Sequence, residues 1–172
     1  MDYTFNSDGV YEGPTILRGS LMLTGAQNVV SLGCLEEVFG LVLLDSSSIT
    51  SLGNLRAVRG GYLQVSSTQL ETLGPLENVD GGAVINNCPN LRSLGSLECV
   101  SGDLYMNDTP LEDLGVLVKS GPIHLYRYSH TTGLRRLKKE IHKLKTLKAE
   151  DIPKYLYDPL YAHQLFQSSM RR

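Results

Sequence analysis

Short apolar runs return along this chain at a nearly fixed interval, each placed just after a glycine. With that glycine as phase zero, it falls at Gly19, Gly40, Gly61, Gly82, Gly102 and Gly121, with gaps of 21, 21, 21, 20 and 19 residues. Two residues later come Leu21, Val42, Leu63, Val84, Leu104 and Ile123, and four later come Leu23, Leu44, Val65, Asn86, Met106 and Leu125. A second apolar group follows in each unit, built on Leu32, Leu52, Leu73, Leu94 and Leu114, and Val38, Val58, Val79 and Val100 close most units. Alternation with period two predicts a short strand with one face inward. One such strand cannot bury its apolar side alone, whereas parallel stacking of coils buries a continuous core. The expected fold is α/β by content but mainly β: a right-handed parallel β-solenoid of about six coils of 20–21 residues, followed by C-terminal helices.

An array of coils has two open ends. Residues 1–14, with Tyr3, Phe5, Val10 and Tyr11, are expected to cover the first coil, and residues 15–128 form the repeats. From residue 129 the pattern changes. Leu134, Leu137, Ile141, Leu144 and Leu147 recur at gaps of 3, 4, 3 and 3, one apolar stripe of a helix over roughly 133–149. Asp158-Pro159 suits the start of a second helix through 169. Residues 129–172 are therefore expected to be a basic helical cap or arm.

In such a strand the positions one and three residues after the glycine point outward. They are Ser20, Met22, Leu41, Leu43, Tyr62, Gln64, Ala83, Ile85, Asp103, Tyr105, Pro122 and His124. A solvated sheet face is mostly polar, and this one carries Met22, Leu41, Leu43, Tyr62, Ile85 and Tyr105. An apolar stripe across stacked coils is either covered, by the tail or a second copy, or used by a partner protein. The candidate binding residues are thus Met22, Leu41, Leu43, Tyr62, Gln64, Ile85, Asp103, Tyr105 and His124.

The repeat resembles the leucine-rich repeat. "LYMNDTPL" (104–111), "LQVSSTQL" (63–70) and "VLLDSSSI" (42–49) fit its L-x-L-x-x-N-x-L pattern with Thr109, Thr68 and Ser47 in the Asn position. "VINNCPNL" (84–91) departs twice, with Asn86 at an apolar position and Pro89 at the Asn position. The "LxxVxGxL" rhythm of "LECVSGDL" is similar to the receptor L-domain type of solenoid. The resemblance covers about residues 15–128, and it implies an architecture more than a function, because these repeats serve many unrelated binding roles. Short repeats of this form look like those of bacterial, phage or large-virus proteins, effectors and inhibitors among them, that bind host or rival proteins. The resemblance implies protein binding on the strand face.

Charge adds a second candidate. Residues 1–128 hold six Lys/Arg against fourteen Asp/Glu, a balance of −8, while residues 129–172 hold ten against four, a balance of +6. Arg135, Arg136, Lys138, Lys139, Lys143 and Lys145 could meet nucleic-acid phosphates, although no aromatic side chains interleave with them for base stacking. The plainer alternative is a solvated face on a capping helix.

Catalysis has little to stand on. The four histidines are dispersed and none sits with Cys, Asp or Glu at metal-ligand spacing, so no metal, cofactor or catalytic residue is expected. The periodic glycines are not a phosphate loop. A carbohydrate-active β-helix would need clustered acids on the strand face, which is mainly apolar here. Cys34, Cys88 and Cys99 are odd in number, with no C-x-x-C, and no stretch of 18 apolar residues exists. The N-terminus lacks the marks of a secretory signal. The expectation is a non-enzymatic protein-binding module, in the cytoplasm of the producing or a host cell, with another protein or a second copy as partner.

Overall fold

A computed structural model describes residues 3–124 and the strand Lys145–Thr146. The chain winds as a parallel β-solenoid of about five turns, and the described residues contain no helix. Seven strands stack in one sheet: β1 (Ile16–Leu17), β3 (Glu37–Phe39), β5 (Ala57–Arg59), β7 (Asn78–Val79), β9 (Cys99–Val100), β11 (Lys119–Ser120) and β13 (Lys145–Thr146), in that order. Six stack in the other: β2 (Leu21–Met22), β4 (Val42–Leu43), β6 (Leu63–Gln64), β8 (Ala83–Val84), β10 (Leu104–Tyr105) and β12 (Ile123–His124). Both sheets are parallel throughout. The six-stranded sheet is the one the post-glycine alternation marks. The seven-stranded sheet is built from the valines before each glycine, so each coil bends at the glycine from one sheet into the other.

A third side runs through Val10, Ser31 and Ser51, and through Thr72, Ser93 and Asp113, as parallel bridges. Here the recurring Ser-Leu-Gly has a local cause. The side-chain oxygen of Ser31, Ser51, Thr72, Ser93 or Asp113 accepts the amide of the glycine two residues on, at 2.8–3.1 Å. That bond folds the chain tightly enough to send the next leucine inward. The leucines and valines of all three sides meet in one core, where Leu21, Leu32, Leu63, Leu73, Leu97 and Val100 are wholly buried. At one end Tyr11 is buried, and Tyr3 and Phe5 pack against this core, Phe5 meeting Tyr11 edge-on at 5.6 Å.

The fourth coil corrects the register. Four residues separate Val38 from Val42, Val79 from Ala83 and Val100 from Leu104, but five separate Val58 from Leu63. The extra residue is Gly60, whose φ of +63° accommodates a one-residue bulge at the bend. The glycine equivalent to Gly61 is therefore Gly81, not Gly82. Ala83 and Ile85 face the core with no exposed surface, Val84 faces out, and Ile85 is not a surface residue. A second inserted residue, between Cys88 and Leu91, restores the phase, since Leu91 is again buried.

The same shift reassigns the Asn position. Ser47, Thr68, Cys88 and Thr109 occupy it, and Pro89 does not. All four are buried, and each donates to a core-side carbonyl: Ser47 to Leu44 (2.6 Å), Thr68 to Val65 (3.0 Å), Cys88 to Val65 (3.0 Å) and Thr109 to Ile85 (2.9 Å). Satisfying carbonyls at the turn is what a small polar side chain can do there without opening a cavity.

Within the segment expected to be helical over 133–149, Lys145–Thr146 is instead a strand paired in parallel with Lys119–Ser120. The rest of that segment and the second expected helix lie outside the described residues.

Candidate functional site

The outward row of the six-stranded sheet is Met22, Leu43, Gln64, Val84, Tyr105 and His124, held in register by successive strand pairs. Parallel pairing spaces these side chains at about 4.8 Å. Flanking them, one position nearer each bend, are Ser20, Leu41, Tyr62, Gly82, Asp103 and Pro122. Met22 is 61% exposed, and Leu41, Leu43, Tyr62 and Gln64 are half-buried. Eight of the nine residues expected on this face stand there. Ile85 does not: the fourth bend lacks the extra residue that Gly60 adds to the third, so Ala83 and Ile85 face inward and Val84 holds its place.

The two halves of the face differ. Towards the first coils it is aliphatic, with Met22, Leu41 and Leu43. Towards the last it becomes polar and tied together. His124 Nε2 lies 3.0 Å from Asp103 Oδ2, and the Tyr105 hydroxyl donates to that same oxygen at 3.2 Å. The Tyr105 and His124 rings stack, with centroids 4.3 Å apart and planes 9° from parallel. Sequence reasoning missed this grouping. Its signal was the coil period itself: this turn brings His124 beside Tyr105 on the next strand, and Asp103, two residues before Tyr105, is its diagonal neighbour. A carboxylate that holds one imidazole nitrogen fixes the ring's orientation, and stacking on Tyr105 adds to the hold.

The seven-stranded face is different in kind. Arg59 bridges Glu37 (3.5 Å) and Asp80 (3.7 Å), and Arg56 meets Glu77 (3.5 Å). Its exposed apolar side chains are Ile16 and Phe39 near the first coils and Val118 near the last.

Among the described residues, no three His, Cys, Asp or Glu side chains come together as a metal-binding set. Cys34, Cys88 and Cys99 are free thiols. Burial pushes the Cys88 thiol above its ordinary value. No helix among the described residues is long and apolar enough to cross a membrane. Of the basic residues expected to face nucleic acid, Lys145 falls in strand β13, and Arg135, Arg136, Lys138, Lys139 and Lys143 lie outside the described residues.

Compared with protein families, with curated proteins and with solved structures, the chain finds no match. The likeness to leucine-rich repeats thus rests on the pattern of its own residues.

Proposed function

We propose that the chain is a non-enzymatic protein-binding module, of the kind that serves as an effector or inhibitor, and that it binds through the outward face of the six-stranded sheet. One observation carries this reading: a row of six side chains in fixed register, aliphatic and exposed at Met22 and half-buried at Leu43, on a rigid parallel array. A solenoid fixes such side chains before binding, so less entropy is lost when a partner docks. Free thiols in the described coils suit a reducing compartment, and the cytoplasm of the producing or a host cell fits that setting.

The test is a double substitution, Leu41→Asp with Leu43→Asp, which places two charges on the aliphatic half without touching the core. The expected result is loss of the partner retained by the unaltered chain in affinity capture from its native cells, with circular dichroism showing the double variant still folded. Retention of every captured partner by the folded double variant refutes the assignment.

A further inference from the structure

The seven-stranded sheet ends at β1, which pairs with β3 alone. The repeat states what this edge lacks. In every later coil two consecutive amides donate to one carbonyl of the coil before: Glu36 and Glu37 to Thr15, at 2.7 and 3.1 Å, then Arg56 and Ala57 to Glu36, and Glu77 and Asn78 to Arg56. Glu98 and Cys99 do the same to Glu77. The equivalent donors of the first coil are the amides of Thr15 and Ile16, and no described strand precedes them.

The other two columns at this end are closed by the chain itself. The Gly9 carbonyl accepts the amides of Val30 and Ser31 at 2.8 and 3.2 Å, as the Val30 carbonyl does for Thr50 and Ser51 at 3.0 and 3.3 Å. The Tyr3 hydroxyl donates to the Ser20 carbonyl at 2.8 Å and accepts the Met22 amide at 3.0 Å. Closing two columns and leaving the third produces a defined edge rather than a ragged end. Its surroundings are also specific. Ile16 is 44% exposed, and the Arg18 guanidinium sits 5.4 Å from the Phe39 ring centre. Among the described residues, no carboxylate lies within ion-pair distance of Arg18.

We propose that this edge accepts an extended strand from a partner protein, running parallel to β1. A carbonyl of that strand accepts the Thr15 and Ile16 amides, an apolar side chain lies beside Ile16, the next points inward over Leu17, and a carboxylate meets Arg18. Main-chain bonds supply affinity in such strand addition, and the alternate side chains supply selectivity. A carboxylate is the group that completes Arg18, because a charge-assisted bond to a guanidinium already fixed on an aromatic ring needs little further ordering. This edge is separate from the six-stranded face, so the Leu41→Asp, Leu43→Asp double variant keeps it.

The probe is a fluorescein-labelled, acetylated peptide with a central Val-Val-Glu, titrated with the full chain and followed by polarisation. Saturable binding is expected, weakened by about tenfold or more when the peptide's Glu becomes Lys. Ile16→Pro, which removes an amide that no described residue accepts, is expected to weaken it similarly. Arg18→Glu is expected to reverse the preference between the two peptides, and decides the matter alone if circular dichroism shows Ile16→Pro unfolded. Absence of saturation up to millimolar peptide, or equal binding by the folded variants, overturns the proposal. So does light scattering in which the chain's mass doubles with concentration and Ile16→Pro prevents it, since the edge then belongs to a second copy.

Discussion

Replacing Ile85 and its neighbour Val84 by alanine, one at a time, distinguishes the two possible registers of the fourth coil. Ile85 has no exposed surface, and its backbone is bonded on both sides: its amide donates to Tyr105 at 2.8 Å and its carbonyl accepts Thr109 Oγ1 at 2.9 Å. Alanine leaves both bonds in place and removes only core volume. Truncating a buried isoleucine to alanine costs about 2–5 kcal/mol, the transfer of the lost methylenes plus the cavity they leave. Val84 lies on the outer face and is half-buried. Its two methyl groups are worth about 0.8 kcal/mol each when fully buried, so a half-buried pair is worth about 1 kcal/mol or less. The expected difference between the variants is at least about 1 kcal/mol, with Ile85→Ala the less stable. Urea unfolding followed by far-UV circular dichroism measures it, since the midpoint shifts with stability while the slope stays with the buried surface. The fourth coil has neighbours on both sides, so end fraying does not mask the loss. If Val84→Ala were as costly as Ile85→Ala, or costlier, the fourth strand would face the other way and its bend would carry the same extra residue as the third.

Three further outcomes follow from the geometry. Gly61→Ala is expected to destabilise the chain strongly, by about 2 kcal/mol or more, because a Cβ at that bend falls 2.0 Å from the Gly40 carbonyl oxygen and only backbone movement can relieve it; thermal unfolding reads this out. Ser67→Gly is expected to stabilise by up to about 1 kcal/mol in the same assay, because Ser67 holds a φ of +57° that costs an L-residue roughly 1–2 kcal/mol and glycine much less. Thiol labelling of the native chain is expected to separate Cys88 from Cys34 and Cys99: burial raises the Cys88 thiol and so keeps it protonated to higher pH, and it should react only as the coil opens, while the two half-buried thiols react faster. Equal rates for all three would contradict the buried turn position of Cys88.

The solenoid was legible because its cause is periodic. Leucines and valines at fixed phases need one another across coils, and no local element could bury them alone. What the spacing concealed was a pair of compensating insertions. Gly60 lengthens the third coil at its bend and the Cys88–Leu91 turn lengthens the fourth, so the two coils look equally long while residues 83–88 slip by one. A period-two strand then turns every side chain over, which moved Ile85 inside and Val84 out. The mismatched letters were the trace of this: Asn86 at an apolar position and Pro89 at a polar one are resolved together by shifting a single residue. The Asp103–His124 contact was concealed for another reason. It joins residues on adjacent coils, offset diagonally by two positions, and spacing rules for metal or catalytic sites consider neighbours on one strand or helix. The amides at the β1 edge were concealed because every coil carries them and only stacking order shows which pair has no acceptor among the described residues.

The choice between the two sheet faces as a docking surface turns on what each has left to offer. On the seven-stranded side the charges of the middle coils already answer one another: Arg59 lies between Glu37 and Asp80, and Arg56 beside Glu77. Such exposed pairs contribute little to stability, about 0–1 kcal/mol, but a partner docking over them must desolvate charges whose Coulombic gain is already made. The six-stranded side asks for less. Among the described residues the Asp103–His124 contact stands at one end, and from Met22 to Leu43 a partner would displace water from mainly aliphatic surface. Apolar removal from water at about 25 cal/mol per Å² then acts almost unopposed. The ordered end, with the Tyr105 and His124 rings stacked and the Asp103 carboxylate in contact with the polar atom of each, would supply direction. A partner laid along the row meets an aliphatic half that gives affinity and a fixed polar half that sets which way round it binds.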